Sequence, residues 1–362
     1  MRILFAGGGT AGHINPALSI ANYIKEQDAD FEALFIGTKR GLEQKLVPSA
    51  DYKIKYIDVC GFDRKNLLKN VSVLIKLQKS KSDTIKILKD FAPDWVICTG
   101  GYVSGPVMLA AKKLGIPSII HEQNVYPGLT VRGSERYATY VAVSFSETVE
   151  HLKYKNKCVI TGNPVRPEIL RADKKQAREQ LGLSDKPFVL VFGGSLGAKK
   201  INDTMLKMLK MLDGSIDILF GTGDRNYAEV RGAIENEGIT LPEGVKVVPY
   251  INNMSEVMAA ADIVISRAGA ITVSEIAALK KPSILIPSPN VVRNHQEQNA
   301  REFEKNGAAA VITEDCLTAE KLYDTIKNML NSKEELKKMG ENAAKLAVTD
   351  ALSKVYSLIK AH

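Results

Sequence analysis

The sequence predicts an α/β chain made of two nucleotide-fold halves, and three observations carry that reading. Apolar bursts of strand length alternate with helical patterns from one end to the other, the signature of parallel sheets covered by helices. A strand followed by a glycine-rich turn occurs twice, as Ile3-Leu4-Phe5-Ala6 before GGGTAG and as Phe188-Val189-Leu190-Val191-Phe192 before GGSLGA. Between them lies Thr161-Gly162-Asn163-Pro164-Val165-Arg166-Pro167, where two prolines and a glycine interrupt any regular element, as an interdomain hinge would.

Taken in order, the strands are expected at Arg2 to Ala6, Ala33 to Gly37, Trp95 to Thr99 and Ser118 to His121 in the first half. In the second they are expected at Phe188 to Phe192, Asp217 to Phe220, Val245 to Val248, Ile263 to Ser266 and Ser283 to Pro287. The boundary falls at the hinge, giving domains at residues 1–163 and 164–340. The polar, helix-forming stretch Lys333 to Ile359 leaves residues 341–362 as a terminal helix expected to return to the first domain.

The 362 residues, 45% of them hydrophobic, suffice for a full core and exclude a disordered or disulfide-stapled chain. The four cysteines, Cys60, Cys98, Cys158 and Cys316, lie far apart without a CxxC or Cys/His pairing, so no metal site is suggested. Met1 runs straight into Arg-Ile-Leu-Phe-Ala and then glycines, too short for a signal-peptide core. A cytoplasmic chain is expected, and with no window near the ~20 apolar residues of a membrane span, any membrane contact is peripheral. The net charge of +8 favours anionic partners: nucleic acid, lipid or phosphorylated substrates. Aromatics make up only 6%, and the basic stretch is interleaved with aliphatics, so nucleic acid is not expected.

In the first loop, Gly7-Gly8-Gly9-Thr10-Ala11-Gly12-His13 follows a strand and precedes Asn15-Pro16, a helix cap and first-turn pair. Ala17, Ile20, Ala21 and Ile24 then recur on one helical face. A glycine turn feeding a helix N-terminus offers backbone N–H groups and a positive dipole end to a phosphate. The loop lacks a Walker lysine and departs from the dinucleotide fingerprint. Gly193-Gly194-Ser195-Leu196-Gly197 repeats the arrangement before Met205, Met208, Leu209 and Leu212. Two such loops would grip a diphosphate and its acceptor across a cleft; each alone is also compatible with a tight connection. From Ser266 to Pro287 the chain reads strand, glycine turn, helix, strand, with Glu275 in the first helical turn. Its carboxylate suits a vicinal diol, although Thr272-Val273-Ser274-Glu275 also fits a capping box.

These residues resemble glycosyltransferase family 28, in particular its peptidoglycan N-acetylglucosaminyltransferases, which convert lipid I to lipid II. The resemblance covers essentially the whole chain, through GGGTAGHINP, TGGYVSGP, HEQN, TGNPVR, GGSLGA, PYINNM, RAGAITVSEIAA and NHQEQNA. It implies a GT-B fold, with two Rossmann-like domains facing each other across a cleft. It implies an inverting reaction without metal or other cofactor, with UDP-N-acetylglucosamine as donor and lipid I as acceptor. By motif, the donor should meet Thr10, Ala11, Gly12, Asn124, Arg166, Ser195, Ile251, Ala270, Ile271, Thr272, Glu275 and Gln296. The backbone near Ile251 suits uracil and Glu275 the ribose. Ser195 and the Ala270 to Thr272 helix start suit the diphosphate, and Gln296 the sugar. Arg166, at the hinge, would offset phosphate charge. The acceptor should meet Gly9, His13, Gly100, Gly101, Tyr102 and Ser104. The resemblance also implies an acceptor-binding, membrane-associating first domain, a UDP-sugar-binding second one, a peripheral place on the cytoplasmic face of the membrane, and cell-wall assembly proteins as partners. Ala11 stands where the family commonly has glycine, and its methyl narrows the acceptor approach.

Inverting transfer needs a base for the acceptor hydroxyl, and His13, one of five histidines, is the candidate; orienting the loop or binding acceptor phosphate is its other reading. His121 ends an apolar strand and reads as structural. The stretch Arg64 to Lys89 sets eight basic residues against Asp83, among aliphatics. It suits an anionic membrane face, or a helix whose apolar side packs on the sheet. A UDP-N-acetylglucosamine 2-epimerase, a UDP-sugar-binding subunit and a retaining GT-B enzyme are the competing readings.

Overall fold

The computed structural model describes residues 1–59, 69–194 and 197–361. The chain divides into two compact units, Met1–Pro164 with Asp350–His362, and Val165–Thr349.

In unit 1 the strands are β1 (Arg2–Gly7), β2 (Glu32–Gly37), β3 (Lys53–Tyr56), β4 (Trp95–Gly100), β5 (Ser118–Glu122), β6 (Tyr140–Val143) and β7 (Cys158–Ile160). They form one parallel sheet in the order β3-β2-β1-β4-β5-β6-β7. The accompanying helices are α1 (Ala11–Gln27), α2 (Glu43–Ser49), α3 (Lys69–Phe91), α4 (Ser104–Leu114), α5 (Leu129–Ser134) and α6 (Ser146–Glu150). A strand buried on both faces reads as an unbroken apolar run, and its alternate residues serve different layers. Ile3 and Phe5 of β1 accordingly join Ile20 and Ile24 of α1, while Leu4 and Ala6 join Val107 and Met108 of α4.

Unit 2 repeats the plan with β8 (Phe188–Phe192), β9 (Asp217–Gly221), β10 (Val245–Val248), β11 (Ile263–Ser266), β12 (Ser283–Leu285) and β13 (Ala310–Val311). Their order is β10-β9-β8-β11-β12-β13, again parallel. The helices are α7 (Pro167–Arg171), α8 (Lys174–Gln180), α9 (Lys199–Leu209), α10 (Asp224–Asn236), α11 (Met254–Ala260), α12 (Ala270–Ala278), α13 (His295–Lys305), α14 (Ala319–Asn331) and α15 (Lys333–Leu346). Ile201, Met205, Met208 and Leu209 of α9 pack on Val189, Val191 and Phe220 of the sheet. The last helix, α16 (Ala351–Lys360), belongs to unit 1, where Val355 and Ile359 lie in the same apolar cluster as Ile20 and Ile24.

Two helix starts differ from the sequence expectation. The first helix begins at Ala11 with Thr10 as its N-cap, which leaves Pro16 inside it instead of in its first turn. The glycine turn already has helical hydrogen bonding there, with His13 and Ile14 amides donating to the Thr10 carbonyl at 3.1 and 3.2 Å. In unit 2, α12 starts at Ala270 with Gly269 at the N-cap, so Glu275 lies in the second turn and forms no capping box.

Residues 60–68, with Cys60, Arg64, Lys65, Leu67 and Leu68, lie outside the described residues, as does the loop residue Ser195. In the described part of α3, Ser80, Thr84 and Leu88 are buried, Ile85 and Ile87 pack against the unit 1 core, and Lys76 pairs with Asp58 at 3.3 Å. That part of the helix therefore follows the packing alternative. No helix among the described residues is long and apolar enough to cross a membrane.

Candidate active site

In both sheets the strand order reverses between the first and fourth strands, at β1/β4 in unit 1 and at β8/β11 in unit 2. The carboxyl ends of strands flanking such a reversal open into a crevice, the usual ligand position of doubly wound sheets. Some of the loop residues named from sequence fall there, and others lie at the ends of strands farther out in the sheets. Gly9 to His13 follow β1, Gly100 to Ser104 follow β4, and His121 to Asn124 close β5. In unit 2, Ile251 follows the edge strand β10, Ala270 to Glu275 follow β11, and Gln296 lies on α13 beyond β12.

His13 sits in the first turn of α1, part-exposed, with its ring against Gly100. A Cβ at Gly100 would lie 2.5 Å from His13 Nδ1, and Gly100 has φ +110°, so the position is closed to a side chain on both counts. The imidazole is held by two residues at the ends of neighbouring strands, Thr99 and Gln123. Its Nδ1 is 3.1 Å from the Thr99 carbonyl and 3.3 Å from Gln123 Oε1, while the Thr99 hydroxyl donates to the His13 carbonyl at 2.6 Å. Burial lowers the His13 pKa below its ordinary value, against the opposing pull of the Gln123 and Thr99 hydrogen bonds. The ring is thus neutral near pH 7, the form a general base requires.

His121 is fully buried, with Nε2 3.0 Å from the Gly162 carbonyl and Nδ1 3.0 Å from Gln123 Nε2. Burial pushes its pKa down to about 4, in keeping with its reading as a structural histidine. Ser104 is likewise buried. It receives a hydrogen bond from the Gly100 amide at 3.2 Å and contacts the Gly100 and Ala6 carbonyls at 2.8 and 3.2 Å, so it holds the second turn from beneath. Tyr102 projects outward, 61% exposed. Asn124 donates through its amide nitrogen and side chain to Glu122 Oε1 at 3.0 and 3.1 Å.

The sequence reading missed two residues, Gln123 and Glu43. Glu43, wholly buried, reaches under the first loop and accepts from the Gly9 amide at 2.9 Å and from the Thr38 amide and hydroxyl at 2.8 Å each. Burial alone would raise its pKa; those donors win and hold it below the usual carboxylate range. The only signal in the sequence was an acid among Gly37, Gly41 and Val47, which no local pattern distinguishes from a helix start.

In unit 2, Gly269 gives α12 no side-chain cap and the first turn of the helix carries no acid. One side chain contact joins this helix to the segment before α7. Arg166 Nε donates to Glu275 Oε1 at 2.7 Å, with the carboxylate almost buried and the guanidinium about half exposed. Burial raises the Glu275 pKa and Arg166 opposes the rise, which favours the ionised form. Ile251 is buried against Gly221, and Gln296 Oε1 accepts from the Ser288 amide at 2.9 Å, holding the loop that precedes α13.

The glycosyltransferase family 28 N-terminal domain matches residues 3–143, and the glycosyltransferase family 28 C-terminal domain matches residues 188–355. The chain belongs to glycosyltransferase family 28. A relative from Thermoanaerobacter pseudethanolicus, named UDP-N-acetylglucosamine--N-acetylmuramyl-(pentapeptide) pyrophosphoryl-undecaprenol N-acetylglucosamine transferase, is 49% identical over 361 residues, covering 99% of each chain. One of the same name from Ruminiclostridium cellulolyticum is 46% identical over 362 residues, again covering 99% of each. Among solved structures, MurG of Acinetobacter baumannii superposes with a TM-score of 0.81 at 29% identity, over 100% of this chain and 99% of that one. The Neisseria meningitidis UDP-GlcNAc 2-epimerase bound to UDP-GlcNAc gives 0.67 at 16% identity over 100% of both, a likeness of fold alone. This family-28 chain is therefore a glycosyltransferase of the GT-B class, with two Rossmann-like domains.

Proposed function

We propose that the chain transfers N-acetylglucosamine from UDP-N-acetylglucosamine to undecaprenyl-pyrophosphoryl-N-acetylmuramoyl-pentapeptide, lipid I, giving lipid II, with inversion and without a metal ion. The observation that carries this reading is His13 in the first turn of α1, its Nδ1 held by the Thr99 carbonyl and Gln123, in a chain whose full-length relatives are named for that reaction.

In this reading the acceptor hydroxyl gives its proton to His13 Nε2 as its oxygen attacks the anomeric carbon. The bond from that carbon to the UDP oxygen breaks, and the electron pair leaves with the diphosphate. Unit 1 supplies the acceptor side: the loops Gly9 to His13 and Gly100 to Tyr102 present amides and the base, while Ser104 acts through the turn it holds. Unit 2 supplies the donor side. The α12 start at Ala270, Ile271 and Thr272 receives the diphosphate, as does Ser195. Glu275, kept ionised by Arg166, accepts from the ribose hydroxyls. Ile251 lies by the uracil and Gln296 by the sugar, and Thr10, Ala11, Gly12 and Asn124 complete the donor contacts. The enzyme works as a peripheral protein on the cytoplasmic membrane face, drawn there by the +8 net charge and beside other cell-wall assembly proteins.

The test is UDP release from UDP-N-acetylglucosamine by purified protein, with and without a lipid I analogue, in buffer containing EDTA. Acceptor-dependent release that survives EDTA, with a product of opposite anomeric configuration, is expected. Release without acceptor sinks the transfer reading, loss in EDTA sinks the metal-free one, and a retained configuration sinks inversion. Flotation with anionic liposomes checks the membrane assignment, which fails if nothing binds at low salt.

A further inference from the structure

Gln123, at the end of β5, is buried and joins two histidines that no sequence pattern connects. Its amide nitrogen lies 2.9 Å from the Thr99 carbonyl, 3.0 Å from His121 Nδ1 and 3.2 Å from the His121 carbonyl. Two of those atoms are carbonyl oxygens, which only accept. Turning the amide over would set its oxygen against both, so Nε2 must face them and Oε1 must face His13.

The consequence runs in both directions. At His13, the two groups beside Nδ1 are the Thr99 carbonyl and Gln123 Oε1, both acceptors, so the proton sits on Nδ1 and the lone pair on Nε2. At His121, Nδ1 faces a donor and must accept, so its proton sits on Nε2 and is donated to the Gly162 carbonyl. The two imidazoles are held in opposite tautomers by one amide. Burial keeps His121 neutral through the physiological range, so the chain of donors and acceptors does not reverse there.

We propose that Gln123 is a positioning residue that locks His13 in the Nδ1-protonated tautomer, so that Nε2 presents its lone pair to the acceptor hydroxyl. This rests on His13 being the base. The Asn163 side chain braces the arrangement by donating to the Gln123 carbonyl at 2.9 Å.

The test reads the tautomers directly, in ligand-free protein with ¹⁵N-labelled histidine, each imidazole assigned by single substitution. In the wild type His13 is expected to carry its proton on Nδ1 and His121 on Nε2; the reverse at either ring overturns the proposal. In Gln123→Glu the side chain can only accept, and His121 is expected to gain a proton on Nδ1; an unchanged His121 spectrum contradicts the assignment. Gln123→Met keeps the bulk without hydrogen bonds. It should leave the Nδ1 proton held by the Thr99 carbonyl alone, raise the share of the other tautomer at His13 and lower kcat about 10- to 100-fold, with KM for UDP-N-acetylglucosamine within about twofold. Unchanged tautomer and unchanged kcat in Gln123→Met would refute it. Because the wild-type tautomers are read without any change at Gln123, an unfolded Gln123 variant leaves the proposal open to refutation. If His13→Ala keeps full turnover while the tautomers are as expected, the base assignment fails and the tautomer lock stands.

Discussion

The loop after β1 and the helix start after β11 each adjoin the strand-order reversal of their own sheet, one after its first strand and the other after its fourth, and the protein finishes them in opposite ways. The unit 1 loop is backed by neutral groups, His13, Gln123 and His121, with one wholly buried carboxylate, Glu43, bound by three donors. The unit 2 start is backed by an ion pair whose guanidinium is about half exposed. A neutral, tautomer-defined network suits proton transfer. A half-solvated ion pair beside a helix dipole suits the capture and release of a charged ligand. The two units share one plan of sheet, and the side chains beneath these two loops differ in charge and in burial.

Substitutions can break that division of labour. The largest effect is expected for His13→Ala, which should lower kcat ~10²–10⁴-fold by removing the base. Equilibrium UDP binding should change little, and calorimetry beside steady-state kinetics checks the contrast. Next comes acid. The folded pKa of His121 is about 4 against 6.5 for the free side chain, so on acidification the unfolded chain takes up the proton first. The stability it contributes is complete above ~6.5 and is lost as pH falls toward ~4, on the order of 3 kcal/mol. Glu43, with a lowered pKa, adds a loss that begins near its ordinary value and continues below it. Glu275 has the opposite sign, because a raised pKa lets the folded form bind the proton first and relieves strain at that site. Urea melts from pH 7.5 to 4.5 should therefore show unit 1 weakening first, and equal slopes for both units would contradict the comparison.

Glu275→Ala should weaken UDP binding about 10- to 100-fold by removing a charged hydrogen-bond acceptor, while the pH dependence of kcat stays put. Glu43→Gln retains the shape but replaces an acceptor oxygen with a donor. It should cost about 1–3 kcal/mol in stability, read by denaturant midpoint, with donor affinity unchanged. The smallest effect is that of salt. Raising it from 50 to 500 mM should weaken UDP binding by roughly threefold through the exposed Arg166 and leave the His13 tautomer untouched.

How far the sequence reveals this molecule depends on the range of the interaction concerned. Strands buried on both faces, such as β8 and β11, occur as uninterrupted apolar runs and were legible with their ends. The unexpected strands are short: Lys53–Tyr56 and Tyr140–Val143 have four residues each, Cys158–Ile160 three and Ala310–Val311 two, and Lys53–Tyr56 carries two exposed lysines at a sheet edge. The motif loops were legible because glycine spacing is local, and so was a structural, hydrogen-bonding role for His121 at the end of an apolar strand. Helix starts were misplaced where Asn15-Pro16 and Thr272 to Glu275 offered good local caps; the turn geometry after each strand commits the backbone earlier. Gln123 and Glu43 were invisible, since their partners at His13 and Gly9 lie far away along the chain and meet them only once the sheet has formed.

The membership of α16 in unit 1 has a consequence for how the chain is made. Val355 and Ile359 complete the layer begun by Ile3 and Phe5, yet all of Val165–Thr349 is synthesised in between. At ~5–20 residues per second of synthesis, the nascent unit 1 waits on the order of 10–40 s with that apolar layer uncovered. Ribosome-bound unit 1 is thus a natural client for chaperones, and a stop codon between the end of unit 2 and α16 yields a chain whose first domain, not its second, is the one left unfinished.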